Sequence, residues 1–252
     1  MPIATSNAKD GLADSRLTYW ILTSLKSDGQ PLGAGSLSYI LRKSGSSLSA
    51  PTIGRKLRDL EERGLLEKVG VDGRILTGEG QDLLVRLERE YRIEISGEKF
   101  LDLLKRNSRK DIVDQLVARK TIEGETASLA ATAISTKGIA HLEAIIEQQR
   151  QLVSTGEAGI DEDLKFHVGI GEGSGNSVLA AMVRLLRSDG WINHVIVAIR
   201  AKVGTRFVID HEEILKAIRS RRPNQAREAM ESHIHRLISD VDRYWEQVFP
   251  NG

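Results

Sequence analysis

The feature that most restricts the fold of this chain is a long series of helical patterns from residue 108 to residue 249. Apolar residues recur there at the spacing of amphipathic helices, and no convincing strand alternation interrupts them. Residues typical of helix starts occur at Ser108-x-x-Asp111, Asp210-x-x-Glu213 and Pro223. Short connections between six or seven predicted helices indicate an all-α antiparallel bundle.

A different pattern occupies the N-terminal part of the chain. Residues 1–15 are polar, and we expect little regular structure in them. Three short amphipathic helices are predicted next, at residues 16–25, 36–43 and 49–64. The pair Asp72-Gly73 then stands between two apolar stretches, which is a strong signal for a β-hairpin. Three helices followed by a hairpin, in that order, predict a winged helix-turn-helix.

The predicted fold is therefore mainly α and has three parts. Residues 1–79 form a winged helix-turn-helix DNA-binding domain of three helices and a β-hairpin wing. Residues 80–107 form a charged linker helix, in which Ser96-Gly97 is a candidate break. Residues 108–252 form the C-terminal all-α antiparallel bundle of six or seven helices. A chain of 252 residues can bury a separate core in each of two domains.

The composition excludes several classes of protein. The chain has no cysteine, so it has no disulfide, no thiolate metal site and no cysteine nucleophile. It shows no signal-peptide pattern, and no apolar run reaches the roughly 20 residues of a membrane helix. We therefore expect a soluble, cytoplasmic protein that contacts no membrane. The net charge of +1 does not by itself indicate a nucleic-acid partner.

Four residues of the C-terminal part have the chemistry of a metal site. Asp163 and His167 are four residues apart and so share one helix face. His211 lies in the first turn of a later predicted helix, and His233 lies in the middle of the last one. One carboxylate and three neutral imidazoles could hold Zn, Ni, Mn or Fe. Spacing alone leaves the alternative open that each histidine is a separate, hydrogen-bonded residue of the bundle.

The C-terminal half resembles the FadR C-terminal domain (FCD) family, the ligand-sensing domains of many GntR-superfamily regulators. The resemblance covers residues 108–248 and depends on five segments in the same order: Arg119-x-x-Ile122-Glu123 with Ala127-x-Leu129-Ala-Ala131, Asp163-x-x-Phe166-His167-x-x-Ile170, Ser174-Gly-Asn176-x-x-Leu179, His211-x-x-Ile214-x-x-Ala217-Ile218 and Ala226-x-x-Ala229-Met230-x-x-His233-Ile234.

The resemblance implies both a cofactor and an effector. It makes the ligands of a divalent metal (Zn, Ni or Mn) Asp163, His167, His211 and His233. In the family, the carboxylate of a small organic acid usually completes such a site. Arg119 would then pair with that carboxylate, and its alternative role is a surface ion pair with Glu123. Asn176 is the second candidate effector residue, with a helix N-cap as its alternative role.

The N-terminal half is predicted to bind double-stranded operator DNA through the helix at 49–64. Arg55 is the best candidate for a guanine contact, and Thr52 could contact a base or a phosphate. Phosphate contacts are expected from Lys43, Lys56, Arg58 and Arg74. The motifs of this half are atypical for GntR readers and look more like those of other prokaryotic winged helices.

The prediction is a DNA-binding transcriptional regulator, a repressor and homodimer, that responds to a small carboxylate at a metal site. We expect no enzymatic activity. The alternative is a metal-dependent enzyme with an Asp/His₃ site, whose winged helix is an interaction module. A third interpretation is a helical adaptor in which the four residues are structural.

Overall fold

The computed structural model describes residues 5–43, 45, 47–188, 190–203 and 206–249. The chain divides into two compact units, Met1–Lys99 and Phe100–Gly252. None of the described helices has the length and apolar character needed to span a bilayer.

The N-terminal unit has the predicted order of three helices and a hairpin. Its elements are α1 (Thr5–Asp28), α2 (Ala34–Lys43), α3 (Ala50–Glu62), β1 (Leu66–Val69), β2 (Gly73–Leu76) and the greater part of α4 (Gly78–Leu104). Helix α1 begins at Thr5, so the expectation of irregular chain was wrong for residues 5–15, while residues 1–4 lie outside the described residues. The polar residues there continue the helix that the apolar spacing placed at 16–25.

The core of this unit forms on the apolar faces that the sequence spacing predicts. Ile53, Leu57 and Leu60 of α3 recur every three or four residues and are fully buried. They pack in one cluster with Ile21 of α1 and Leu37 of α2. The Ser49 side chain accepts a hydrogen bond from the backbone N–H of Thr52, and proline occupies the first turn of α3. Helix α3 is thus fixed at its start and along its buried face.

The wing is a two-stranded antiparallel sheet with an additional bridge. Strands β1 and β2 pair with Leu66 opposite Leu76. Leu32 and Arg74 exchange two backbone hydrogen bonds of 3.1 Å, which attach the segment before α2 to β2. Gly73 has φ +139° and lies so close to Leu32 that a Cβ at this position would overlap the Leu32 carbonyl group. Glycine is therefore required where the wing meets the body of the unit.

The C-terminal unit is a bundle of seven helices in the described part of the chain. They are α5 (Arg109–Ala133), α6 (Thr136–Ser154), α7 (Ile160–Gly173), α8 (Ser177–Leu186), α9 (Gly190–Val203), α10 (Arg206–Arg219) and α11 (Pro223–Val248). The all-α class and the helix number agree with the prediction.

The predicted helix boundaries were correct in some places and wrong in others. Ser108 and Asp111 form the predicted capping box of α5, and Pro223 stands in the first turn of α11. Helix α4 continues through Ser96 and Gly97 without a break. Helix α10 begins at Arg206, so Asp210 lies inside it and does not start a helix as predicted.

Helices α5, α7 and α11 contribute to one core that surrounds the polar cluster described below. Ile112 and Leu116 of α5, Phe166 of α7 and Ile234 of α11 are completely buried in it. A Cβ on Gly124 of α5 would lie only 2.9 Å from the side chain of Glu231 on α11. The two helices therefore approach closely at this glycine, next to Glu123 of α5 and near His233 of α11.

Candidate metal centre and nucleic-acid interface

Three helices of the C-terminal unit bring the four predicted ligand residues to one place. Asp163 and His167 come from α7, His211 from α10 and His233 from α11. One ligand atom from each lies within 4.8 Å of the ligand atoms of the other three. All four residues are buried, with exposed fractions between 0% and 6%. The bundle thus places a carboxylate and three imidazoles around a single point.

Each of the three imidazoles has an oxygen acceptor beside its Nδ1 atom. The acceptors are Glu123 Oε2 at 2.6 Å from His167, Gln149 Oε1 at 2.8 Å from His211, and Asp210 Oδ2 at 3.2 Å from His233. These contacts favour the tautomer with the proton on Nδ1, which leaves the lone pair on Nε2. Acceptors of this kind typically orient histidines that bind metals.

The side chain of Gln149 is itself held in one orientation. Its amide N–H donates to the carbonyl of Gly159 at 3.2 Å, so the amide oxygen faces His211. The His211 ring stacks on Phe166, with 4.4 Å between ring centroids. Its Nε2 lies 3.2 Å from Nε2 of His167 and 3.5 Å from Oδ1 of Asp163. The Nε2 atoms of both imidazoles therefore face the same interior point.

The electrostatic environment keeps His167 neutral. Burial, assisted by the positive charge of Arg187, lowers the pKa of His167 to about 3, although Glu123 opposes the shift. At neutral pH the imidazole is therefore in the form that binds metals.

A buried group of charged residues lies next to the cluster. Arg119 and Glu123 of α5 are each 1% exposed, and Arg119 Nε donates to Glu123 Oε1 at 3.0 Å. The two terminal nitrogens of Arg119 have no hydrogen-bond partner among the described residues. Burial lowers the pKa of Arg119 to about 10, so the guanidinium stays charged at neutral pH. The predicted alternative of an Arg119–Glu123 pair is correct, but the pair is buried and not on the surface.

Arg187 completes this group of charges. Its Nε and one terminal nitrogen donate to the two oxygens of Glu123 at 2.9 and 2.8 Å, and its other terminal nitrogen donates to Asp163 at 2.9 Å. Burial by itself would raise the pKa of Glu123, but Arg187, His167 and Arg119 hold it well below the usual value. Glu123 is therefore a carboxylate that links two arginines and a histidine.

Asn176, the second candidate effector residue, lies outside this buried cluster. It is exposed, and its side-chain oxygen accepts hydrogen bonds from the N–H groups of Val178 and Leu179, both at 3.1 Å. Asn176 is thus the N-cap of α8, which was its alternative role.

The predicted DNA-contacting residues fall into two groups in the N-terminal unit. Arg55 and Arg58 of α3 and Lys43 of α2 are exposed. Arg55 donates to the Thr52 hydroxyl at 3.2 Å, and Lys43 lies over the ring of Tyr39. The second group has acidic partners within the chain.

Lys56 and Arg74 belong to that second group. Lys56 has a side chain only 10% exposed and pairs with Asp14 at 2.7 Å and Asp59 at 3.1 Å. Arg74 is 16% exposed and pairs with Glu61 at 2.6 Å. Both cations are therefore partly neutralised within the unit. These ion pairs compete with the phosphate contacts that the sequence predicts for Lys56 and Arg74.

The comparisons with known proteins identify the C-terminal half. Residues 114–236 match the FCD domain family. The chain is also 26% identical to the Uxu operon regulator of Haemophilus influenzae over 216 residues, which is 76% of this chain and 77% of that protein. This chain is a transcriptional regulator of the GntR/FCD type.

Further relatives of this GntR/FCD regulator agree with that assignment. It is 33% identical to the Exu regulon transcriptional regulator of Escherichia coli K12 over 126 residues, which is 47% of each protein. These relatives are regulators and not enzymes, in agreement with the prediction that the chain is not an enzyme. The solved structure of E. coli McbR/YncC has the same fold, with a TM-score of 0.51, 13% identity and coverage of 97% of this chain and 100% of that one.

The N-terminal half of the regulator matches a different family. Residues 19–84 match the ribonuclease R winged-helix domain. The winged helix is therefore confirmed, and so is its departure from the usual GntR pattern.

Four polar residues that surround the candidate metal ligands were not predicted as partners of those ligands. Glu123 could have been recognised from its spacing of four residues after Arg119. Gln149 and Arg187 carry no sequence signal, since they reach the cluster only through packing of α6 and the end of α8. Asp210 was interpreted as the start of a helix. It directly precedes His211 in the sequence, so the two residues lie on neighbouring parts of the α10 surface.

Proposed function

We propose that this regulator is a repressor that binds operator DNA as a homodimer and responds to a small organic acid at a divalent metal ion. The observation that carries the proposal is the convergence of Asp163, His167, His211 and His233 inside the bundle. Buried polar groups of this number are costly unless they have a partner or a ligand.

The residues fit a divalent ion by their chemistry. The donor set of three imidazoles and one carboxylate suits Zn, Ni or Mn. The acceptors Glu123, Gln149 and Asp210 turn the Nε2 lone pairs inward. The separation of 3.2 Å between the Nε2 atoms of His167 and His211 suits two ligands with bonds of roughly 2.1 Å to one ion. When bound, the ion supplies a positive charge and a Lewis acid for an anionic ligand.

Arg119 supports a carboxylate as the effector. Its two terminal nitrogens are buried and have no hydrogen-bond partner in the part of the chain that the structure describes, so a planar anion could accept from both. Its pKa of about 10 keeps the positive charge at neutral pH. Leaving buried donors unpaired costs free energy, which the effector would recover on binding.

DNA contact is assigned to the exposed residues of the winged helix. Arg55 is the candidate for a guanine contact, worth about 1–3 kcal/mol of discrimination, and Thr52 lies beside it. Arg58 and Lys43 are exposed and are our candidates for phosphate contacts. Lys56 and Arg74 would have to exchange their acidic partners for phosphates, so we assign them mainly to positioning α3 and the wing. A two-fold homodimer would match a palindromic operator.

Control of transcription requires that the acid bind two states of the protein with different affinity. Operator DNA and metabolic acids are both found in the cytoplasm, which is where we place the protein. The relatives named as Uxu operon and Exu regulon regulators support a role in controlling a defined set of genes.

The proposal is tested by measuring DNA affinity with and without metal and acid. A binding sequence is first selected from random duplexes, and its affinity is then measured by fluorescence anisotropy at constant salt. Metal-free protein is compared with protein loaded with Zn²⁺, Ni²⁺ or Mn²⁺, each with a panel of small carboxylates. We expect at least one acid to lower the affinity of metal-loaded protein only. DNA affinity that is independent of both metal and acid would contradict the proposal.

A further inference from the structure

Arg187 holds two separate carboxylates of the C-terminal unit at once. It is the C-cap residue of α8 and is 3% exposed. Its guanidinium donates two hydrogen bonds to Glu123 on α5 and one to Asp163 on α7. A single side chain at the end of α8 therefore contacts both the middle of α5 and the first turn of α7.

Its contact with Asp163 engages one of the two oxygens of that carboxylate. Oδ2 of Asp163 accepts the hydrogen bond from Arg187 at 2.9 Å, while Oδ1 lies 3.5 Å from Nε2 of His211. Arg187 therefore turns Oδ1 towards the imidazoles and engages the opposite oxygen.

Through its contact with Glu123, Arg187 also affects His167, a second candidate ligand. Arg187 binds both oxygens of Glu123, and Oε2 of the same carboxylate lies 2.6 Å from Nδ1 of His167. The planar guanidinium fixes the plane of that carboxylate, since two parallel hydrogen bonds define its orientation. The fixed carboxylate in turn places Oε2 beside Nδ1 of His167, a position from which an acceptor can orient the ring.

We propose that Arg187 is a positioning residue for the metal centre, because it holds Asp163 directly and His167 through Glu123. The inference rests on the metal site proposed above. Lysine cannot take over the role, because an ammonium group lacks the planar fork that reaches both carboxylates. Arg187 thus acts on two of the four candidate ligand residues and is not itself one of them.

The test compares metal binding by metal-free wild type, Arg187→Gln, Arg187→Lys and the control Arg184→Gln. Arg184 also lies on α8, but it is exposed and pairs with Glu172 at the surface. Binding of Co²⁺ is followed by its visible absorption bands, and Zn²⁺ affinity by competition with a chelator. Far-UV circular dichroism establishes the helix content of each variant.

We expect both Arg187 variants to bind about 10–100-fold more weakly and with shifted Co²⁺ bands. Arg184→Gln should match the wild type in both. Folded Arg187 variants with wild-type affinity and bands would overturn the inference, even if their Tm is lowered, because a purely structural role predicts that result. If neither Arg187 variant keeps its helix content, Glu123→Gln tests the same link, with the same weakening expected and wild-type behaviour again overturning it. A wild-type protein that binds neither ion would instead refute the metal site itself.

Discussion

The amide oxygen of Gln149 lies 2.8 Å from Nδ1 of His211, and the amide N–H of the same side chain is anchored to the Gly159 carbonyl. This relationship fixes both the tautomer and the orientation of a buried imidazole from a helix that contributes no ligand. Metal affinity in such a site depends on the acceptors behind the ligands as well as on the ligands.

Replacing Gln149 with leucine should therefore weaken metal binding without removing any ligand. We expect Zn²⁺ affinity to fall about 10-fold or more in Gln149→Leu, measured by chelator competition. Gln151→Leu is the matched control, because Gln151 lies on the same helix but is exposed. Equal Zn²⁺ affinities for the two variants would show that the contact with His211 has no role in the site.

Replacing Arg119 with methionine should separate the acid response from metal binding. Arg119→Met removes two buried donors that have no partner within the described ranges, while Glu123 keeps its two hydrogen bonds from Arg187. The ligand-free variant should unfold at the same Tm as the wild type or higher, because methionine fills similar space without unpaired polar groups. Its metal-loaded form should show no further rise in Tm with any acid that stabilises the wild type.

Thermal melts of both proteins, with and without metal and acid, check this prediction. Arg184→Met provides the control for loss of an arginine, and it should keep the acid-induced rise. If Arg119→Met keeps the whole rise, Arg119 is not the carboxylate partner.

The exposed arginines of α3 should contribute differently to DNA binding. Arg58→Ala should weaken binding to all sequences and reduce the slope of log affinity against log salt by about 1, as expected for one lost phosphate contact. Arg55→Ala should in addition lower the preference for the selected sequence over random DNA. Anisotropy titrations at several salt concentrations measure both effects, with the exposed Arg89→Ala on α4 as control. Unchanged affinity of Arg55→Ala would mean that α3 is not the recognition helix.

The wing should depend on the absence of a side chain at Gly73. In Gly73→Ala the new Cβ would overlap the Leu32 carbonyl and the backbone would have to leave φ +139°, so the Leu32–Arg74 bridge should break. Strain of this kind costs on the order of 1–3 kcal/mol of unfolding free energy. Gly78→Ala, at a position with open space, should be nearly neutral in urea unfolding. Similar stability of the two variants would contradict this account of the wing.

The sequence predicted those features that depend on local spacing. The i, i+4 pair Asp163 and His167, the capping box at Ser108 and the hairpin at Gly73 are all encoded within a few residues. The partners of the imidazoles are not, since Gln149 is 62 residues from His211 in the chain and Arg187 is 64 from Glu123. Only the packing of separate helices brings such residues together, and the periodicity of the sequence does not indicate how separate helices pack.

The same reasoning applies to two features of the N-terminal half that the sequence did not indicate. The charge of Lys56 is visible in the sequence, but its pairing with Asp14 depends on the position of α1 against α3. Residues 5–15 lie in α1 although most of them are polar. Composition alone cannot distinguish such a helix from an irregular segment.

The central claim is that Asp163, His167, His211 and His233 hold one divalent ion. Its most direct test is the metal content of protein purified without a histidine tag or chelator, for wild type, His211→Ala and the exposed control His141→Ala. We predict about one Zn, Ni or Mn per chain in the wild type and in His141→Ala, and none in His211→Ala. Wild-type protein without stoichiometric metal, and without a thermal shift on adding any of the three ions, would contradict the claim.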